Sequence, residues 1–143
     1  MAINQITVFL ENKAGTLLNI TKILACNDVN LCAINIAETS DYGLVRLITA
    51  DNEKAKSVLT NAGYVYTETP VLAIVIGDKI GSLNGVLEIL AKEDINVKYM
   101  YSIMGGYNDR ACMVLQLSDI EKAIDVLKKS NVEIADESVF CVG

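Results

Sequence analysis

Catalysis needs side chains that attack, carry protons or bind metal, and this 143-residue chain has few of them. It contains no histidine. That removes the usual general base and excludes Ser-His and Cys-His nucleophilic chemistry. Its four cysteines, Cys26, Cys32, Cys112 and Cys141, include no C-x-x-C pair. A zinc site would have to be assembled from scattered thiols, and three of the four sit among apolar neighbours. They read as small buried hydrophobes. What remains is a pair of stretches suited to holding a charged group. "ENKAGTLLNI" (11–20) and "GDKIGSLNGV" (77–86) each set a polar residue, a base and a glycine just before an apolar helical stripe.

The physics of such a junction is specific. A helix N-terminus presents unpaired backbone N–H groups and about half a positive charge, which attract carboxylate or phosphate. Gly15 and Gly81 let the backbone approach a ligand closely or turn sharply. Thr16 and Ser82 are expected to act as N-caps. Asn12 and Asp78, three residues before each glycine, can accept hydrogen bonds from an ammonium group. The same residue types also serve any short strand-to-helix turn, so the spacing alone leaves both readings open.

The elements that must position these residues come in two copies. With an offset of 66 residues, Ile6, Val8 and Leu10 fall on Leu72, Ile74 and Ile76, and Leu17, Ile20, Ile23 and Leu24 fall on Leu83, Val86, Ile89 and Leu90. "NDVNL" falls on "EDINV". Past mid-unit the offset is 68, matching Asp51 to Asp119 and Ala55 to Ala123. The two extra residues lie between "AETSDYG" and "IMGGYND", in a turn, where insertions belong. Period two in Ile6, Val8 and Leu10 predicts a strand, and three- and four-residue steps from Leu17 to Leu24 predict a helix ending at Asn27-Asp28. Strands follow at 29–38 and 44–49, then a helix over 51–62 with Gly63 as its C′ residue, then a strand at 64–67.

That order, β-α-β-β-α-β, is the ferredoxin-like split βαβ sandwich: a four-stranded antiparallel sheet in the order 4-1-3-2, with two helices on one face. The fold class is therefore α+β, with units at 1–69 and 70–143. Pro70 marks the seam, and the last strand of the first unit runs almost directly into the first strand of the second.

Formal net charge is −6, with five bases against seven acids in residues 1–69 and seven against eleven in 70–143. Such a surface is unsuited to nucleic acid, which needs clustered Lys and Arg. Hydrophobic content is 52%, yet no apolar run approaches the roughly 20 residues of a membrane span. The start has no secretory n- and h-regions. The expectation is a cytoplasmic protein without cofactor, metal or membrane partner.

"ITVFLENKAGTLLNITKIL" followed by "DVNL" resembles an ACT domain, and the whole chain resembles a tandem pair of them. The family pattern is a polar residue, a base, usually a proline, then a glycine opening the first helix. Asn12-Lys13-Ala14-Gly15 and Asp78-Lys79-Ile80-Gly81 keep all but the proline, whose loss leaves each loop less rigid. The resemblance implies a regulatory, non-catalytic protein. It implies an amino-acid ligand at the interface of two ACT units, between the strand-to-helix loop of one and strand 2 of the other. It further implies a target enzyme in amino-acid metabolism and, as one assembly, a homodimer. By this resemblance Asn12, Ala14, Gly15, Thr16 and Leu17 form one site, and Asp78, Ile80, Gly81, Ser82 and Leu83 a second. Strand 2 adds residues from 30–35 and 96–101, with its facing undetermined. Asp78 carries a charge that Asn12 lacks and would repel a ligand carboxylate, so the first loop is preferred.

Two further readings stay open. One is an ACT pair that has lost its ligand and serves as an oligomerising module. The other is an enzyme working through Cys112 or a carboxylate, ranked lower for want of a base, metal or cofactor motif. "YMYSIMGGY" (99–107) suits an aromatic pocket wall or, more simply, a strand and turn.

Overall fold

Alternating apolar residues at the start of the chain form a strand, and the glycine after them starts a helix. The computed structural model describes residues 2–11, 13–38, 42–77 and 79–136. The elements are β1 (Ile3–Leu10), α1 (Thr16–Cys26), β2 (Leu31–Glu38), β3 (Gly43–Thr49), α2 (Asn52–Asn61) and β4 (Val65–Ile76), then α3 (Ser82–Lys92), β5 (Val97–Ser102), β6 (Ala111–Leu117) and α4 (Ile120–Lys129). The chain divides into two compact units, one built mainly on Asn4–Thr69 and the other mainly on Pro70–Phe140.

In the first unit β3 lies between β2 and β1, antiparallel to both. Ile6 and Val8 of β1 and Val45 and Leu47 of β3 point to one face. There they meet Ile20 and Leu24 of α1 and Ala55 and Leu59 of α2 in a closed apolar core. The first residues of β4 belong to this unit, and Tyr66 packs against the same core. The second unit repeats the plan, with β6 between β5 and β4. Leu72, Ile74, Leu115, Val86, Leu90 and Leu127 fill its core. A short fourth segment joins β4 through the Ile74–Ile134 bridge. Its ladder bonds are Val75 N–H to Glu133 O (3.0 Å) and Ala135 N–H to Ala73 O (2.8 Å).

Helix termini repeat as faithfully as the cores. α2 and α4 begin on Asp51 and Asp119, whose carboxylates accept from Lys54 N (3.1 Å) and Lys122 N (3.0 Å). Among the described residues, each of the four helices ends on a residue in the left-handed region: Asp28 (φ 58°), Gly63 (φ 83°), Asp94 (φ 58°) and Asn131 (φ 60°). Three of these are Asp or Asn, the side chains that tolerate that region best after glycine. β4 is continuous through Pro70, which contributes no N–H to any ladder.

Candidate functional site

α1 and α3 begin differently from α2 and α4. Their N-cap positions are held by Gly15 (φ 89°, ψ −13°) and Gly81 (φ 85°, ψ 3°), both left-handed. Thr16 and Ser82 are the first helical residues instead of the caps expected of them. A cap needs extended backbone, and the chain spends that position on a sharp turn that only glycine makes cheaply. Thr16 N–H donates to Lys13 O (3.3 Å) and Ser82 N–H to Lys79 O (3.1 Å). The Ser82 hydroxyl donates to the same Lys79 carbonyl (2.8 Å). Glycine has no side chain to offer the next amides, so the N–H groups of Leu17 and Leu18, and of Leu83 and Asn84, receive no cap from the N-cap residue.

Space is available at both ends. A Cβ built on Gly15 or on Gly81 would meet nothing within 4 Å. Ala14 and Gly15 are exposed, Thr16 and Leu17 half-buried, and Leu17 and Leu83 rest on the edges of the two cores. Lys13 pairs with Glu11 at 3.0 Å in open solvent, an interaction of little energetic weight. Ile80 stands wholly exposed. One turn thus brings together Ala14, Gly15, Thr16 and Leu17, and another brings together Ile80, Gly81, Ser82 and Leu83. Asn12 and Asp78 lie outside the described residues.

Strand 2 of each unit now has a definite facing. Ile34 and Met100 lie against their cores. Asn35 faces the other way and accepts from Arg46 Nη1 at 2.9 Å. Tyr99 and Tyr101 stack with ring centroids 6.4 Å apart.

Sequence reasoning missed three features. Phe9 and Tyr42 form a ring contact with centroids 6.2 Å apart; they meet through the β1–β3 register, which composition does not reveal. Arg110 Nη2 lies 2.6 Å from Glu133 Oε2, with its guanidinium 5.9 Å from the Tyr107 ring centre. Cys32, taken as a simple buried hydrophobe, is disulfide-bonded, a pairing that only three-dimensional proximity decides. Cys26 and Cys112 are free. Burial, and secondarily the nearby Glu133 carboxylate, pushes the Cys112 thiol up to about 11. At neutral pH it is therefore no nucleophile. Among the described residues no three His, Cys, Asp or Glu side chains cluster to hold a metal, and no helix is long and apolar enough to cross a membrane.

With this geometry established, comparison places the chain among known folds. Residues 1–142 match a family model described as an ACT domain pair. Protein BT0572 from Bacteroides thetaiotaomicron is 36% identical with a TM-score of 0.88, over 96% of this chain and 94% of that one. The regulatory subunit of aspartate kinase from Thermus flavus shares the fold at 13% identity and a TM-score of 0.61, with 90% of each chain covered. That from Thermus thermophilus, in its ligand-free form, does so at 13% and 0.58, over 89% of this chain and 91% of that one. No curated protein sequence matches.

Proposed function

The chain belongs to the ACT-domain-pair family, and from that premise we propose that it is a regulatory protein that binds a small amino acid at its helix-entry loops and thereby modulates a separate metabolic enzyme. The contrast between its helix termini carries this reading. Asp51 and Asp119 close the ends of α2 and α4, whereas the glycine at the N-cap of α1 and of α3 has no side chain with which to do so. A ligand carboxylate is what such an end accepts, and Asn12 or Asp78 would receive the ammonium group. Regulation then requires that ligand and target enzyme alter each other's affinity by the same factor. The aspartate kinase subunits with this fold are regulatory by name, which supports a target in amino-acid metabolism. The proposed setting is the cytoplasm; the Cys32 disulfide is the feature that argues for an oxidising compartment instead.

A thermal-shift screen against the twenty amino acids at millimolar concentration tests the proposal. A ligand at 100 times its Kd stabilises by about 2.7 kcal/mol, which for this size is a rise of several degrees at roughly 2–4 °C per kcal/mol. Gly15→Val, which puts a β-branched side chain at a left-handed position, should abolish much of that rise. No shift with any amino acid, or a full shift in the variant, would sink the loop assignment.

A further inference from the structure

Of the four cysteines in the chain, Cys26 and Cys112 are free and Cys32 is disulfide-bonded. Cys141 is the one sulfur left in the sequence to pair with it, and it lies outside the described residues. Cys32 is only 2% exposed, too deep for a sulfur of a second copy to reach.

The repeat shows what is special about this position. In β2 the register shifts between Leu31, opposite Thr49, and Ala33, opposite Ile48. Cys32 is therefore the extra residue of a β-bulge. β5 carries the same shift between Val97, opposite Leu117, and Tyr99, opposite Gln116, and its extra residue is Lys98. A bulge releases its extra residue from the ladder and re-aims the side chain. Lys98 uses that freedom to stand in solvent. Cys32, on the same bulge 66 residues earlier, is buried and bonded. Both strands are sheet edges, where backbone groups on the open side invite pairing unless something covers them. The two units share the bulge, and only the first has a covalent anchor on it.

We propose that the Cys32 disulfide is a reversible switch. Cys141 supplies the second sulfur, and the bond holds the C-terminal end of the chain at the edge strand of the first unit until a thiol releases it. Nothing in this depends on an amino-acid ligand. Opening proceeds by thiol–disulfide exchange with a small thiol such as glutathione. Its thiolate attacks the Cys141 sulfur, since that of Cys32 is buried, and expels Cys32 as a thiolate that takes up a proton. A second glutathione thiolate attacks the mixed disulfide, releasing Cys141 as a thiolate that is likewise protonated and leaving as glutathione disulfide. Closing is the reverse, with glutathione disulfide as the oxidant that takes both electrons. Disulfides of proteins in reducing compartments are mostly of this transient, redox-sensing kind, so a bonded Cys32 and a cytoplasmic setting are compatible.

The test uses the full chain, oxidised with glutathione disulfide or reduced with dithiothreitol. Peptide mapping of the oxidised form without reduction should find Cys32 joined to Cys141 of the same chain. Mixtures of reduced and oxidised glutathione at millimolar totals should interconvert the two forms. Reduction should speed amide hydrogen exchange over residues 32–37 several-fold while leaving 98–102 of β5 unchanged. It should also lower the thermal midpoint by several degrees, because the bond closes the loop from 32 to 141 and so restricts the unfolded chain. Cys141→Ser and Cys32→Ser should each show the reduced behaviour in either buffer, and Cys26→Ser should follow the parent. Cys32 joined to any other sulfur overturns the switch. So does a bond that millimolar glutathione leaves intact, or exchange over 32–37 that is the same in both forms.

Discussion

At the scale of single residues, environment decides which chemistry is available, and the cysteines show how. Cys112 is buried in β6, as the cysteines were expected to be, whereas Cys26 is exposed on α1, against that expectation. The disulfide at Cys32 was illegible, because pairing depends on where the rest of the chain brings a second sulfur. Alkylation of the native protein followed by peptide mapping should label Cys26, spare Cys112 until denaturation, and reach Cys32 only after reduction. Cys112 also makes stability depend on pH. Its ordinary value of 9.0 rises to about 11 in the folded state. The unfolded chain therefore gives up this proton first as pH rises. The stabilisation it supplies is present below about pH 9 and is lost as pH rises toward 11. Urea midpoints for Cys112→Ser, compared with the parent between those values, should lack this decline. A parallel decline in both would place its cause elsewhere.

At the scale of elements, the strands and helices were legible because their periods are clean and repeat. Ile6, Val8 and Leu10 alternate as a strand must, while Leu17, Ile20 and Leu24 step as a helix must. The exact helix starts were less legible. Thr16 and Ser82 look like caps by type, yet the glycine before each takes the N-cap position and pushes the hydroxyl residue into the first turn. Ser82 then spends its proton on Lys79 O. The facing of strand 2 also waited for the structure, since "LCAINIAE" is apolar on both parities and a register shift follows Leu31. Capping differences at this scale have a measurable cost. Asp51→Ala and Asp119→Ala each remove a side-chain acceptor from a helix start and should destabilise by about 1 kcal/mol. Thr16→Ala removes no cap and should cost far less of helix stability. Equal losses in all three, by urea unfolding, would mean that Thr16 caps α1 after all.

At the scale of the whole molecule, the duplication gives each unit its own core at matched positions, so equivalent substitutions form a controlled experiment. Leu24 is fully buried in the first core and Leu90, 66 residues later, is 1% exposed in the second. Both lie on the first helix of their unit, one turn before a left-handed aspartate that ends it, and each is surrounded by a different set of side chains. Truncation to alanine removes the same atoms and leaves a cavity in each case, at a cost of about 2–5 kcal/mol. Against a total stability of roughly 5–15 kcal/mol, either loss lowers the urea midpoint substantially. Among the described residues the two cores have no member in common. Their free-energy changes in the double variant should add to within about 0.5 kcal/mol. Neither leucine belongs to a helix-entry loop, so any amino acid that stabilises the parent should stabilise each single variant by the same increment. A ligand increment that vanished in Leu24→Ala but survived in Leu90→Ala would show that binding depends on the packing beneath α1, beyond the loop that starts it.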